Sequence, residues 1–212
     1  MTYKAIITGD IVNSSQIVGY DRTLILDTIK RLAGELSQLG LDGIEMYRGD
    51  SFQMVVRSPE NALLIAILTR ASLRARDRRC DARIAIGVGT VEYNSIDIVT
   101  SDGEAYRNSG REFDNLKKRR LAISTPWTDV NEELNVSTAF ADDIITNWSD
   151  AQANVIFMSL SEKITQKEIA QRLNKKSQSV SNVMNSGKES LVAMYIDRYT
   201  KLINNKIITP NH

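Results

Sequence analysis

Two aspartates hold the chemistry this sequence could perform. Asp10 follows the apolar run Tyr3 to Thr8, YKAIIT, and Asp50 lies in Arg48-Gly49-Asp50-Ser51, amid an alternating stretch from Glu45 to Val56. The first run is rich in β-branched residues and predicts a strand, and the second predicts a β-hairpin turning at Gly-Asp. If those strands neighbour each other in one sheet, both carboxylates point to one end. They can then share a divalent ion and leave room for phosphate oxygens. The turn after Asp10, where Asn13 sits, supplies backbone N–H groups and the hydroxyls of Ser14 and Ser15, a cradle for a phosphate. Arg48 and Arg107 join these three as candidate ligand contacts. Gly-Asp is also a favoured hairpin turn for conformational reasons alone, and Asp10 could cap a turn.

What is scarce narrows the chemistry further. The one histidine is His212, the last residue, and the one cysteine is Cys80, in RDRRCDAR. Ser-His-Asp and Cys-His catalysis are therefore excluded, and so are zinc sites built from His and Cys. Any metal must be held by oxygen, which selects a hard ion, Mg²⁺ or Mn²⁺. A lone cysteine suits a reducing compartment. No apolar run approaches the ~20 residues that span a bilayer, and MTYKAIITGD lacks the apolar core of a signal peptide. The expected location is the cytoplasm.

A second set of residues points to nucleic acid. Gln166 to Val183, QKEIAQRLNKKSQSVSNV, places Ile169, Ala170 and Leu173 on one face of a short helix. Asn174 suits a left-handed turn, and Val180 and Val183 restart the apolar period. This predicts a helix-turn-helix. Lys175 and Lys176 suit phosphates, and Ser177, Gln178, Ser179, Ser181 and Asn182 suit base edges in a major groove. An ordinary helical hairpin with a solvated face is the plainer alternative. Charge agrees with DNA: beyond Asp150 there are nine Lys and Arg against four Asp and Glu, although the whole chain carries only +1. An acidic region is joined to a basic one.

These residues need elements to position them. After the first strand, Asp21 to Leu39 has helical period, the hairpin follows, and Pro59 opens a second helix through Ala75. Asp81 to Val91 predicts a strand, Gly103 to Lys118 a third helix and Leu121 to Ser124 a last strand. The order β-α-β-β-α-β-α-β predicts a ferredoxin-like sheet with its helices on one face. The expected organisation is a sheet domain over 1–125, a helical linker over 126–147 and a helical domain over 148–212. In the last, Trp148 is a core anchor, and Leu191, Met194, Tyr195 and Leu202 are candidate packing residues. Arg74, Arg76, Arg78 and Arg79 are expected to be a solvated helix end. Lys117 to Arg120 has the same expectation, with a phosphate or nucleic-acid contact as its alternative.

Several of these segments resemble known motifs in the right order. ITGDIVNSS resembles the first metal motif of class III nucleotidyl cyclases, and YRGDSF resembles the hairpin shared with diguanylate cyclases. ARIAIGVG and DGEAYRNSGREF resemble the following cyclase strand and helix. Together with the C-terminal helix-turn-helix, the chain resembles the SatD family of bacterial proteins. The resemblance implies an α+β fold: a nucleotidyl cyclase-like βαββαβ domain followed by an all-α helix-turn-helix domain. It implies metal binding by Asp10 and Asp50 and, in an enzyme, stabilisation of the transferring phosphate by Arg111. Arg107 stands where cyclases keep an Asn, and Met46 stands at the position of their purine-reading Lys. The expected protein is a homodimeric DNA-binding regulator that binds a nucleotide or phosphate ligand with Mg (or Mn). The alternative is an active nucleotidyl cyclase or nucleotidyltransferase.

Overall fold

The apolar run at the start of the chain becomes the centre of a sheet. β1 (Tyr3–Ile11) pairs antiparallel with β3 (Ser51–Val56) on one side and with β4 (Ala82–Tyr93) on the other. β2 (Leu41–Tyr47) extends the sheet beyond β3, and β5 (Asp102–Gly103) pairs with β4, giving the path β2-β3-β1-β4-β5. β6 (Leu121–Ser124) lies parallel to β4. A central strand covered on both faces must be apolar on both, which is why YKAIIT does not alternate. The computed structural model describes residues 2–14, 20–47, 49–77, 79–93 and 102–208.

Both faces are covered, against the expectation of helices on one face only. α1 (Tyr20–Glu35) and α2 (Ala62–Arg76) lie over Ala5, Ile7, Phe52, Met54, Ile84 and Ile86. α3 (Glu104–Asp114) lies on the opposite face, against Ile6, Val55 and Ala85. Two glycines permit it. A Cβ on Gly87 would collide with the backbone of Ser109 and Ala105, and one on Gly89 with that of Ala105. The helix backbone therefore sits directly on β4. α3 also ends earlier than the sequence suggests, and Lys117 adopts a left-handed φ of 51°.

The C-terminal half adds α4 (Thr128–Thr146), α5 (Asp150–Glu162), α6 (Gln166–Arg172), α7 (Ser177–Ser186) and α8 (Glu189–Ile208). Reciprocal capping boxes start α5 (Ser149 with Gln152) and α6 (Thr165 with Glu168). One hydrophobic cluster runs from Ala5 in β1 through α2 and α4 to Ile156 in α5 and Ile203 in α8. Trp148 is buried in it, as expected, and donates its indole N–H to Gly187 O at 2.7 Å. A smaller cluster of Val155, Ile169, Ala170, Val180 and Met184 seals α5, α6 and α7 together. Leu191 and Met194 depart from the expectation of packing: both are exposed on α8, whereas Val192, Tyr195, Tyr199 and Ile203 form its buried stripe. Among the described residues no helix is long and apolar enough to cross a membrane.

Candidate functional site

Strand register decides where the two aspartates go. Asp10 faces Ser51 across β1 and β3, and Ile11 N–H donates to Asp50 O at 3.1 Å. Asp50 is thus brought to the end of β1, where the Ser14 hydroxyl donates to its Oδ2 and the Ser51 hydroxyl to its Oδ1 at 3.4 Å. On the other side of β1, Asp10 faces Arg83 of β4. The guanidinium grips the carboxylate with two parallel hydrogen bonds, one of them from Nε to Oδ1 at 2.9 Å. The Phe113 ring of α3 lies 5.5 Å from the Arg83 carbon, a cation–π distance. The hydrogen bond to Asp10 holds Arg83 above its ordinary pKa, against partial burial, and the charges of Asp10 and Asp50 add to this. Behind the pair, Gln53 donates to Thr8 Oγ1 at 3.3 Å and Thr8 to Ser109 Oγ at 3.0 Å, tying the site floor to α3.

The remaining candidate contacts are more scattered. Asn13 is exposed, in a left-handed turn at φ 56°. Ser15 and Arg48 lie outside the described residues. Arg107 is exposed on α3 and pairs with Asp102 at 3.1 Å. Arg111 is exposed as well, and helical spacing from Ser109 and Phe113, which face the sheet, turns it toward solvent. The sequence reading missed Arg83. The usable signal was alternation in ARIAIGVG, which puts Arg83, Ala85, Gly87 and Gly89 on one face, that of Asp10.

A second charge cluster begins two residues earlier, and corrects the expectation that Arg74 and Arg120 are solvated. Arg70 donates Nε and one terminal nitrogen to Asp81 at 2.9 and 2.8 Å, and its other terminal nitrogen to Asp142 at 2.6 Å. Arg74 reaches Asp81 at 3.2 Å and the carbonyl of Trp148. Arg120 adds a contact to Asp81 at 2.8 Å, and its backbone N–H donates to Asp142 at 2.7 Å. Arg70 and Asp81 are fully buried. Burial alone would raise the pKa of Asp81, but Arg70, with Arg120 and Arg74, holds it below the ordinary carboxylate range. The cluster ties α2 and α4 to the residues just before β4, β6 and α5, and Asp81 O also accepts Val12 N–H, from the turn after β1, at 2.9 Å.

The sequence matches the model of the SatD family over residues 3–205. The chain belongs to the SatD family. No curated protein matches it. Among solved structures, it is similar to a bacterial light-regulated adenylyl cyclase, with 13% identity over 58% of this chain and 76% of that one, at a TM-score of 0.41. It is also similar to the active GGEEF domain of a diguanylate cyclase from Vibrio cholerae, with 18% identity, 60% and 85% coverage, and a TM-score of 0.41.

In this SatD chain, α6 and α7 are joined by a turn through Asn174, left-handed at φ 50°, and Lys175 N–H donates back to Ala170 O at 2.8 Å. Ile169, Ala170 and Val180 are buried between the two helices. Lys175, Lys176, Ser177, Gln178, Ser179 and Asn182 are exposed and Ser181 is half-buried. Gln178 donates to Asn182 at 3.1 Å, one helical turn along.

Proposed function

We propose that this SatD family member is a DNA-binding regulator, acting as a homodimer, whose sheet end binds a nucleotide or related phosphate ligand together with Mg²⁺ or Mn²⁺. The observation that carries the ligand half is the register of β1: Asp50 and the Ser14 hydroxyl on one side, Arg83 on the other, and Asp10 between them. The donor set fits a hard divalent ion, because Asp10 and Asp50 offer carboxylate oxygens and the neighbouring side chains offer hydroxyls. Asp10 and Asp50 would hold the ion, and its charge would offset that of the phosphate oxygens. Arg83 supplies a cation of the chain's own, in the planar two-pronged geometry that suits carboxylate and phosphate alike. Ligand binding is the reading we take forward, because the arrangement of Asp10, Asp50, Ser14 and Arg83 at the end of β1 supports it directly.

What supports the DNA half is the contrast between the two sides of α7. Val180 and Met184 seal it against α5 and α6, leaving short polar side chains outward behind two lysines. Titrating the purified chain with each NTP and Mg²⁺ tests the first half. Asp10→Asn and Asp50→Asn are each expected to abolish metal-dependent binding, and unchanged binding in either would rule out a shared ion. Fluorescence anisotropy on duplex DNA tests the second. Replacing Lys175 and Lys176 by Ala is expected to lower the slope of log affinity against log salt by about 2, nearly one counterion per lost phosphate contact. Wild-type affinity no greater than that of an unrelated neutral protein at low salt would end the DNA half.

A further inference from the structure

Asp10 is the residue on which two cations converge. Toward β4 it faces Arg83, whose guanidinium donates to both carboxylate oxygens, from Nε to Oδ1 at 2.9 Å and from a terminal nitrogen to Oδ2. Toward β3 it faces Ser51, the neighbour of Asp50, which is the other carboxylate proposed to hold a divalent ion. Ion and guanidinium therefore seek the same acceptor. Arg83 is steadied by the charge of Asp50 as well as by Asp10, so it already stands in the field of both acids. Two carboxylates against one guanidinium leave a single negative charge among these three side chains. A divalent ion added alone reverses that sign and sets two cations against one another. Like charges a few ångströms apart repel strongly away from bulk water, so Arg83 weakens the hold of the acids on a bare ion.

Phosphate reverses the balance. Its oxygens can meet the ion and the guanidinium at once, and the fork that grips a carboxylate grips a phosphate equally well. Arg83 can change partner without leaving its seat. The Phe113 ring lies 5.5 Å from its central carbon, and a cation–π contact of this kind engages the flat face of the guanidinium. The N–H groups at its edge stay available for whichever oxygens are offered. The Arg83 side chain is 38% exposed, so an incoming anion has access to it. On the reading of this sheet end as a phosphate-and-metal site, we infer that Arg83 is a built-in rival of the metal ion for Asp10. The site then holds a divalent ion weakly by itself and firmly in the company of phosphate. Phe113 is the positioning residue that keeps the displaced guanidinium beside the ligand.

Two probes on the full chain test this: Mn²⁺ alone, followed by electron paramagnetic resonance, and Mn²⁺ complexed with inorganic triphosphate, followed by calorimetry. Arg83→Met is expected to bind Mn²⁺ alone at least ~10-fold more tightly than wild type, because a repelling charge is gone. It is expected to bind the complex at least ~10-fold more weakly, because charged hydrogen bonds to phosphate are lost. Arg83→Lys keeps the charge and is expected to return Mn²⁺ alone to wild-type weakness. Arg57→Met removes a positive charge beyond the far end of β3 and is expected to move neither probe. The Arg83 pair is partly exposed, so these variants keep the fold, and an unchanged thermal midpoint in metal-free buffer verifies this. A guanidinium that braced Asp10 from behind would do the reverse, its loss costing ~10- to 100-fold in metal affinity. Weaker or unchanged Mn²⁺ binding by Arg83→Met therefore overturns the inference and leaves the site reading standing. Tight Mn²⁺ binding by Arg83→Lys, or an effect of Arg57→Met equal to that of Arg83→Met, overturns it too. No uptake of Mn²⁺ by wild type or variant, with or without triphosphate, ends the metal reading itself and the role of Arg83 with it.

Discussion

Asp81 and Arg83 stand two residues apart at the start of β4, yet the clusters they belong to meet different solvents. Asp81 is enclosed. Its Oδ1 accepts from Arg70 and from the Ala82 N–H at 2.8 Å, and its Oδ2 accepts from Arg70, Arg74 and Arg120. No capacity remains for a ligand, and every buried charge has its partner. Asp10, by contrast, is half-buried and gripped by one arginine, and Asp50 is held by two hydroxyls. A guanidinium at the edge of solvent can exchange one anion for another, whereas one sealed between helices cannot. The same pair of chemical groups is therefore sealed into the architecture around Asp81 and left at the edge of solvent around Arg83.

Mutation can break that contrast at its strong end first. Asp81→Ala strands three guanidiniums around an empty carboxylate site. It is expected to cost about 3–5 kcal/mol, read as a lower urea midpoint, and a change under ~1 kcal/mol would show that water already reaches the cluster. The same carboxylate shapes the acid limb of stability. Because Asp81 is held below its ordinary pKa, its contribution is complete above the unfolded-chain value of ~4 and is lost as pH falls through the lower folded value. A urea midpoint that falls no more steeply in acid for wild type than for Asp81→Ala would contradict this.

Asp142→Ala removes the acceptor of Arg70 and of the Arg120 backbone N–H, and about 1–3 kcal/mol is expected for the donors left behind. Asp10→Asn sharpens the comparison from the other side. A partly exposed pair contributes at most ~1 kcal/mol, so the urea midpoint should scarcely move while metal-dependent ligand binding disappears. A large stability loss would mean that Asp10 is architectural after all.

Much of this arrangement was legible in the sequence, and the illegible parts share a cause. Asp10 could be put at a strand end and Asp50 in a hairpin turn because both signals are local, whereas the pairing of β1 with β3 that brings them together is long-range and stood in the sequence only as a condition. The left-handed Asn174 and the apolar restart at Val180 are local as well. Arg83 escaped notice because its importance lies in its cross-strand partner Asp10, 73 positions away. Arg70 drew no notice and Arg74 read as part of a solvated helix end because Asp142 and the Trp148 carbonyl come from another part of the chain. The apolar residues on every side of α2, which bury that helix almost completely, were the available warning. Gly87 and Gly89 likewise announced a close approach on the second face of the sheet. Leu191 and Met194 misled because α8 is apolar over a wider arc than its core contacts use.

The chain has two tryptophans. The ring of Trp127 lies 5.2 Å from that of Tyr3, and Trp148 donates its indole N–H to Gly187, between α7 and α8, while Arg74 holds its carbonyl. With Trp127 replaced by Phe, all remaining indole emission would come from the point where the sheet-packed helices meet the α7–α8 junction. The molecule thus contains its own optical gauge. A shift of that emission on adding a phosphate ligand, with no label attached, would show that binding alters the packing where Trp148 meets the α7–α8 junction.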